Sequence, residues 1–250
     1  MTVLEKKIRR PFGVPVHALS TGEFLDTLLD RAKQDKQSFL ITYLNAHCIN
    51  TCFKDENYAR IIEQADLVYA DGQAVVWASR ILNQPLPERV NAGDFFTRFC
   101  RECVKEGLSL YFLGSQKGVA SKAAEKMKSR APGLNVVGFH HGFFDESEAG
   151  QIVSGINMAR PSILLVGMGV PHQEKFAARY LKELGAPVVW CVGALFEYYA
   201  DVRPRAPLWM RRLGMEWLFR LVVEPRRMWR RYLLGNPAFL VKLIKYRFFK

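Results

Sequence analysis

The sequence predicts an α/β protein with a doubly wound, mostly parallel, Rossmann-like sheet, followed by a basic helical appendage at the C-terminus. Short apolar runs alternate with helix-length periodic segments through most of the chain, which is the order that βαβ units produce. The apolar runs from Leu108 onward are continuous rather than alternating, as expected of strands that are buried on both faces. Beyond residue 200 the strand pattern stops and helical spacing takes over.

Six apolar runs are the predicted strands. They cover residues 39–44, 67–70, 108–114, 134–140, 162–169 and 187–193. The segments between them have helical periodicity, for example Lys117 to Arg130, Glu146 to Met158 and His172 to Leu184. Because ligands of such sheets bind beyond the carboxyl ends of the strands, the residues that directly follow a strand are the candidates for a site.

The C-terminal part is predicted to be a separate element. The stretch "DVRPRAPLW" (201–209) contains two prolines and no periodicity, which predicts a linker. Amphipathic helical spacing follows. Pro225 is expected to open a helix at its first turn, and Gly235 to Pro237 are expected to break it. The sequence therefore divides into an α/β domain, residues 1–200, and a basic amphipathic appendage, residues 201–250.

The net charge of +12 is concentrated in this appendage. The 48 residues from Arg203 hold 13 of the 36 Lys and Arg but only 2 of the 24 Asp and Glu, so they carry +11 of it. Such asymmetry indicates an anionic partner: nucleic acid, phosphates or anionic lipid. Tryptophan, tyrosine and phenylalanine are interleaved with these cations, which is typical of an interfacial helix at a lipid surface. The alternative is that the aromatic residues pack against the core and the cations are solvated.

Composition also bounds the cellular context. There is no apolar run of 18 residues, so no spanning helix is predicted, and the N-terminus lacks the apolar stretch of a secretory signal. Five cysteines, an odd number, fit a reducing compartment, so a cytoplasmic protein is expected. Cys100 and Cys103 have C-x-x-C spacing but lie in an apolar-periodic segment, which favours buried thiols over a zinc site.

Polar residues follow several of the predicted strands. Asn45 could bind a ligand or cap a helix. Asp71 could cap the next helix or act as a general base, and position alone favours capping. Gln173 and Glu174 fall on the first turn of a predicted helix, where they could point into a site or be solvated. Gly114 ends a strand before a helix, where backbone can approach a phosphate.

The stretch around Gly114 argues against two classes of nucleotide-dependent enzyme. The sequence around Gly114, "LYFLGSQKGVA", matches neither the P-loop pattern nor G-x-G-x-x-G, which argues against ATPases and dinucleotide-dependent oxidoreductases. There is no D-x-D tripeptide, the usual metal clamp for a nucleotide sugar.

Taken together, these pieces resemble the WecG/TagA/CpsF family of bacterial glycosyltransferases. The resemblance spans about Phe39 to Phe239. It is carried by "YLNAH" (43–47), "ADGQAVVWASRILNQPLPERVNAGDFF" (70–96), "FLGS" (112–115), "GMGVPHQEKF" (167–176), "VGALFEYYAD" (192–201) and "RAPLWMRRLGMEWLFRLVVEPRRMWRRY" (205–232).

The resemblance implies an inverting, metal-independent sugar transfer that needs no cofactor. The donor would be a nucleotide sugar, usually UDP-linked, and the acceptor a sugar on a polyprenyl diphosphate in the inner leaflet. N-acetylmannosamine, its uronic acid and glucose all remain open as the transferred sugar. The implied protein is cytoplasmic and peripherally associated with the inner face of the cell membrane, in cell-surface polysaccharide assembly. A homo-oligomer is left open, and no nucleic-acid partner is expected.

The resemblance also assigns roles to residues. The family's catalytic aspartate falls on Asp71. Its substrate-contacting residues fall on Asn45, Arg89 and Gln173, and the arginines of its appendage on Arg220, Arg227 and Arg230. The complete set of substrate-binding candidates, with no metal ligand among them, is Tyr43, Asn45, Arg89, Asp94, Gly114, Gln173, Glu174, Arg220, Arg227, Arg230 and Arg231.

Three positions depart from the family pattern. Tyr43 stands where a threonine is usual, with Thr42 beside it, and Ala74 stands where the second glycine after "DG" is usual. Ala92 replaces the glycine of the next motif, with Gly93 adjacent. These changes leave the transfer chemistry intact, and they leave the identity of the donor sugar or of the acceptor open.

Helical spacing divides the arginines of "EPRRMWRRY" (224–232) into faces. Arg227 shares a face with Arg230 at three residues and with Arg231 at four, whereas Arg226 points elsewhere. The planar guanidinium suits a diphosphate. The alternative function is a nucleic-acid-binding α/β protein, since basic residues interleaved with aromatic ones also suit single strands. Such a protein does not require Asp71 and Gln173 at strand ends.

Overall fold

The computed structural model describes residues 4–34 and 37–249 and contains a six-stranded parallel sheet. Its order is β4-β3-β8-β7-β5-β6. A short antiparallel pair, β1 and β2, precedes it and contacts β4. The strands are β1 Ile8–Arg9, β2 Val16–His17, β3 Phe39–Leu44, β4 Leu67–Ala70, β5 Ser109–Gly114, β6 Asn135–His140, β7 Ile163–Gly167 and β8 Val188–Cys191.

Helices connect the strands and form the C-terminal segment. They are α1 Thr21–Ala32, α2 Ala46–Cys52, α3 Glu56–Gln64, α4 Gln73–Ile81, α5 Ala92–Lys105, α6 Val119–Arg130, α7 Glu146–Ala159, α8 His172–Tyr180, α9 Leu195–Tyr199, α10 Leu208–Arg212, α11 Glu216–Val223, α12 Pro225–Trp229 and α13 Gly235–Phe248. A π-helical segment, Arg230–Leu234, joins α12 to α13.

Helices cover both faces of the sheet, which confirms the doubly wound prediction. In β8, Val188 and Trp190 belong to the larger hydrophobic cluster on one face, whereas Val189 and Cys191 belong to the second cluster on the other. Strand side chains point alternately to the two faces, so both faces must be apolar for the strand to be buried. Trp190 is fully buried and donates from Nε1 to the Tyr69 hydroxyl at 3.1 Å.

The predicted strands are confirmed with small differences at their ends. Those at 39–44 and 67–70 have the predicted bounds, and the others are shorter by one to three residues. The expectation that every strand from Leu108 onward is buried on both faces is wrong for β6. This strand lies at the edge of the sheet and Phe139 is 54% exposed. A central strand and an edge strand cannot be told apart from an apolar run alone, because local sequence does not determine the order of strands in the sheet.

The C-terminal segment confirms two predictions and corrects a third. Residues 201–207 form no helix or strand, and Pro225 opens α12 at its first turn. Gly235 to Pro237 do not break the helix, which continues from Pro225 to Phe248. The π-helical turn in front of Gly235 changes the hydrogen-bond register, and the helix thereby accommodates a proline that has no N–H to donate.

Helix α13 packs against the α/β part of the chain. Phe239 and Leu243 are buried in the larger hydrophobic cluster, and the Phe239 ring lies 5.1 Å from that of Phe12. Asn50 on α2 donates to the Gly235 carbonyl at 2.7 Å and accepts from Lys242 Nζ at 2.9 Å. The end of the appendage is therefore held by the core, while the linker and α10 to α12 run past the carboxyl ends of the strands.

Other expectations concern thiols and membrane spans. The five cysteines are free thiols, and Cys48, Cys100, Cys103 and Cys191 are buried, as predicted for the C-x-x-C pair. Over residues 4–34 and 37–249, no helix is both long and apolar enough to cross a membrane.

Candidate active site

Three connected spaces lie at the carboxyl ends of the strands. The central cavity, about 260 Å³, lies between the ends of β3, β4, β7 and β8 and the C-terminal segment. The outer groove, about 750 Å³, extends from it over β5, β6 and β7. The tryptophan cavity, about 160 Å³, lies on the other side and is named for Trp77 and Trp217 in its wall. The central cavity is lined by, among others, Tyr43, Asn45, His47, Asp71, Asn91, Gly169, Gly193, Tyr198, Arg203, Arg220, Arg227 and Arg231.

Asp71 lies where the central cavity meets the tryptophan cavity and lines both. It follows β4 directly, and Gly72 occupies the N-cap position of α4, so the capping role expected from position alone is wrong. A Cβ at Gly72 would come within 2.8 Å of the Asn45 Cβ, so only glycine lets the ends of β3 and β4 approach this closely. Asn91 Nδ2 donates to Asp71 Oδ1 at 2.8 Å, which leaves Oδ2 for a substrate.

The environment of Asp71 suits a proton acceptor. Burial and, less strongly, the nearby Glu216 raise the pKa of its carboxyl, while Arg89, Arg220 and Arg231 lower it, and the net result is a pKa of about 6. Desolvation disfavours the charged carboxylate, and the arginines partly offset this. A pKa near the working pH gives a base that is ionised yet strong enough to take a proton.

Asn45 and Tyr43 approach the central cavity from β3. The Asn45 side-chain oxygen caps α2 by accepting from the amides of His47 and Cys48, at 3.0 and 3.1 Å. The capping alternative is therefore confirmed for Asn45, and its position on the cavity wall leaves its amide NH₂ for a ligand. Tyr43 is buried, with its hydroxyl group close to the Gly193 turn.

Gln173 and Glu174 form a buried network beneath the central cavity. Both are fully buried, so the solvated alternative is wrong. Gln173 Oε1 accepts from the Gly193 amide at 2.9 Å, and its Nε2 donates to Glu174 Oε1 at 2.7 Å. Thr42 Oγ1 donates to the same Glu174 oxygen at 3.0 Å. In this conformation Gln173 holds the turn that lines the cavity and does not itself line it.

Glu174 is a carboxyl group that is fully buried. Burial raises its pKa to about 7, against the hydrogen bonds from Gln173 and Thr42 that lower it. In the described part of the chain its Oε2 has no hydrogen-bond partner. A neutral carboxylic acid at this place is less costly than a carboxylate.

Gly114 is required by packing at the end of β5. Its φ is +145°, and a Cβ there would lie 2.4 Å from the Gly167 carbonyl oxygen of β7. The space beside Gly114, where the sequence predicted that backbone could approach a phosphate, is thus filled by the neighbouring strand β7. The next residue, Ser115, lines the outer groove.

Arg89 and Asp94 belong to an ion cluster beside the tryptophan cavity. Asp94 accepts from Arg89, Arg205 and Arg211, the last two from the C-terminal segment. Arg89 lines the tryptophan cavity and also contacts Glu216 of α11 at 3.4 Å. Asp94 is outside the three cavities as the described residues define them. It anchors the appendage to α5.

The appendage contributes three of its predicted arginines to the central cavity. Arg220, Arg227 and Arg231 line it. The guanidinium of Arg220 lies 5.2 Å from the Tyr198 ring centre and donates to Glu216 Oε1 at 2.8 Å. Arg230 is not among the residues that line the three cavities; its guanidinium lies over the Trp229 ring, at 5.2 Å. The four-residue spacing from Arg227 therefore carries Arg231 into the cavity.

Sequence reasoning missed three residues of the cavity wall. Asn91 orients Asp71 and accepts from Arg205 Nη2 at 2.8 Å. His47 lines two cavities, and burial, together with the positive charges of Arg231 and Lys54, lowers its pKa to about 4. Arg203 lies in the stretch assigned as a linker. Asn91 falls inside a quoted motif, whereas no local signal marks Arg203.

Comparison with known proteins identifies the family of this chain. A model of the Glycosyl transferase WecG/TagA/CpsF family matches residues 9–250. The chain belongs to this family and is a glycosyltransferase.

Among the described residues, no group of three His, Cys, Asp or Glu side chains is placed to hold a metal ion.

Several relatives carry the name N-acetylglucosaminyldiphosphoundecaprenol N-acetyl-beta-D-mannosaminyltransferase. The one from Bacillus subtilis (strain 168) is 28% identical over 233 residues, covering 93% of this chain and 90% of its own. The one from Staphylococcus aureus (strain NCTC 8325 / PS 47) is 29% identical over 215 residues, covering 86% and 83%. A third, from Bacillus spizizenii, is 27% identical over 213 residues, covering 85% and 81%.

Proposed function

We propose that this enzyme transfers a sugar, with inversion and without a metal ion, from a UDP-sugar to a sugar carried on a polyprenyl diphosphate. The observation that carries the proposal is the position of Asp71, a partly buried carboxyl group shared by the walls of two cavities. Arginines line the same space and supply positive charge for a diphosphate.

The donor is placed across the outer groove and the central cavity. The groove offers Phe143, Phe144 and Tyr180 to the nucleoside, beyond the carboxyl ends of β5 to β7. The diphosphate then lies near Arg227, where groove and cavity meet, and the sugar extends toward Asp71. Arg220 and Arg231 stabilise the negative charge that develops on the leaving UDP.

The acceptor enters from the tryptophan cavity, on the opposite side of Asp71. Its apolar lining, including Trp77 and Trp217, suits a sugar whose lipid carrier remains in a membrane. Asp71 takes the proton of the acceptor hydroxyl as its oxygen attacks the anomeric carbon. The bond from that carbon to the UDP oxygen breaks with its electron pair on UDP. Attack from the face opposite the leaving group inverts the anomeric centre.

N-acetylmannosamine is the first candidate for the transferred sugar, and N-acetylglucosaminyl diphosphoundecaprenol for the acceptor. Both are taken from the names of the relatives. The uronic acid of N-acetylmannosamine and glucose are the other candidates. Tyr43 and Ala92, which line the cavity and depart from the family pattern, are positioned to select among them.

The protein acts at the inner face of the cell membrane, to which it binds peripherally from the cytoplasm. Apolar side chains exposed on the C-terminal segment support this placement, since large exposed apolar patches mark interaction sites. They include Trp209, Leu213, Val222, Trp229, Leu233, Leu240, Ile244, Phe248 and Phe249. Exposed cations such as Arg226, Arg230 and Arg247 lie on the same segment. The division near residue 200 and a homo-oligomer remain predictions.

The deciding experiment is a donor screen. Purified enzyme is incubated with UDP-N-acetylmannosamine, its uronic acid and UDP-glucose, each with a short-chain polyprenyl-diphosphate-N-acetylglucosamine, and the products are weighed by mass spectrometry. A mass gain of one N-acetylhexosamine with the first donor is the expected result. The proposed function would be rejected if the enzyme transferred sugar from none of these donors to the acceptor and hydrolysed none of the UDP-sugars. Added EDTA should leave the rate unchanged.

A further inference from the structure

Arg203 lies at the junction of the central cavity and the outer groove and lines both. The stretch that holds it has no regular secondary structure, but its backbone is hydrogen-bonded to the preceding helix. The amides of Val202 and Arg203, which follow α9, donate to the carbonyl of Glu197 within that helix, at 3.0 and 3.2 Å. The guanidinium is therefore presented from a hydrogen-bonded turn to the place where a bound nucleotide would pass from groove to cavity.

Two carboxylates hold Arg203 in this conformation. Its Nη1 lies 2.7 Å from Glu197 Oε2 and its Nε lies 2.9 Å from Glu224 Oε1. The second oxygen of Glu224 lies 3.3 Å from Arg227 Nη1. Glu224 thus joins two arginines that reach the same junction from different segments, the linker and α12.

We propose that Arg203 and Arg227 together bind the diphosphate of the nucleotide donor, and that Glu224 is the carboxylate that the diphosphate displaces. This inference rests on the proposed function, because it assigns a ligand group to that same site. It adds a residue that neither the family resemblance nor the spacing of the appendage arginines indicated.

The energetics favour such an exchange. The Arg227 side chain is 49% exposed, and ion pairs of this exposure contribute little to stability, so Arg227 loses little when it leaves Glu224. A diphosphate carries more charge than one carboxylate and offers several oxygens to the two planar guanidinium groups. Glu224 would also repel the incoming diphosphate. Removing its charge while keeping its shape should therefore strengthen nucleotide binding.

The test measures UDP and uridine binding by calorimetry at low ionic strength, on full-length enzyme. Arg203→Gln should weaken UDP binding about tenfold or more, since a hydrogen bond to a charged group is lost, and leave uridine binding unchanged. Glu224→Gln should tighten UDP binding about threefold or more. Arg226→Gln is the matched control, an exposed arginine of α12 outside the cavities as the described residues define them. It should change neither.

Two results would overturn the inference: unchanged UDP binding by Arg203→Gln, or weakened UDP binding by Glu224→Gln. If Arg203→Gln does not fold, as judged by circular dichroism, Arg203→Lys and Glu224→Gln decide the matter, because one keeps the charge without the fork and the other leaves Arg203 intact. Failure of the proposed function is a separate outcome. If the proposed function is wrong, the unmodified enzyme itself binds no UDP. If only the inference about Arg203 is wrong, the unmodified enzyme binds UDP and the variants bind it equally well.

Discussion

The two walls of the active site are held in place by different forces. The wall built by strand ends holds Asn45 and Asp71, with Gln173 buried beneath it, and hydrogen bonds of 2.8 to 3.0 Å fix all three side chains. The wall built by the C-terminal segment holds Arg203, Arg227 and their neighbours through ion pairs that are partly exposed. Hydrogen bonds in a dry interior fix geometry, whereas exposed ion pairs are weak and salt-sensitive.

This difference separates positioning from charge supply. The base must meet one hydroxyl group at one distance, so a rigid wall suits it. The arginines must exchange carboxylate partners for a diphosphate, so a wall with weak internal pairs suits them. Variants of the strand-end wall should therefore affect turnover, and variants of the appendage wall should affect substrate binding and salt dependence.

Asp71→Asn should have the largest effect. It keeps the shape and removes the base, so kcat should fall by about 10²- to 10⁴-fold while UDP affinity stays within about twofold. Steady-state kinetics and calorimetry measure the two quantities. Asp26→Asn, at an exposed position on α1, is the control and should leave both unchanged. Near-normal turnover by Asp71→Asn would remove the carboxylate from the mechanism.

The adjacent pair Arg230 and Arg231 sharpens the comparison within the appendage. Arg231→Gln should lower kcat/KM about 10- to 100-fold, because a charged group that lines the cavity is lost. Arg230→Gln should change it less than about threefold, since that side chain lies over Trp229. The two variants differ only in which neighbour is changed. A larger loss for Arg230→Gln would show that the helix turns when substrate binds.

The pH profile tests the assignment of the base. With the Asp71 pKa at about 6, activity should fall about tenfold per pH unit below 6 and level off above it. Initial rates of kcat/KM between pH 4.5 and 8 measure this limb. Residual activity of Asp71→Asn should lack it. The same limb in that variant would assign the titration to another group.

Membrane binding should depend on the appendage surface. Replacing the exposed Leu240 and Ile244 by Gln should lower binding to anionic vesicles about threefold to tenfold, because apolar area is lost from the contact. Flotation with phosphatidylglycerol vesicles measures it, and added salt should weaken binding by the unmodified enzyme as well. Replacing Met158, an exposed apolar residue of α7, is the control. Equal binding by both variants would place the membrane contact elsewhere.

Glu174→Gln should have the smallest effect, and it should depend on pH. The folded-state pKa of about 7 exceeds the ordinary 4.5, so the protein loses stability as pH rises through this range, when the buried carboxyl must ionise. The variant cannot ionise. Relative to the unmodified enzyme it should gain about 1 to 3 kcal/mol between pH 5 and pH 9. Urea denaturation at both values measures the difference, and a constant difference would mean that Glu174 does not titrate there.

Local sequence patterns predicted most of the sheet, because each strand is a self-contained apolar run between glycines or polar turns. The runs at 39–44 and 67–70 have the observed bounds, and Asn45 and Asp71 lie at the strand ends where ligands were expected. Local patterns did not predict that β6 is an edge strand, since this depends on strand order. Nor did they predict that Gln173 and Glu174 face the interior, since the first turn of a helix can present its side chains either way.

For the C-terminal segment, the sequence by itself determined the composition, the helical spacing, the opening at Pro225 and the concentration of charge, all of which are local properties. Only the tertiary structure decided which arginines reach the cavity. The four-residue spacing from Arg227 brings in Arg231, while Arg230 lies on Trp229. A hydrogen-bonded turn after α9 brings Arg203 from an apparent linker to the junction of two cavities. Such choices depend on contacts between residues that are far apart in the chain, and no local pattern contains them.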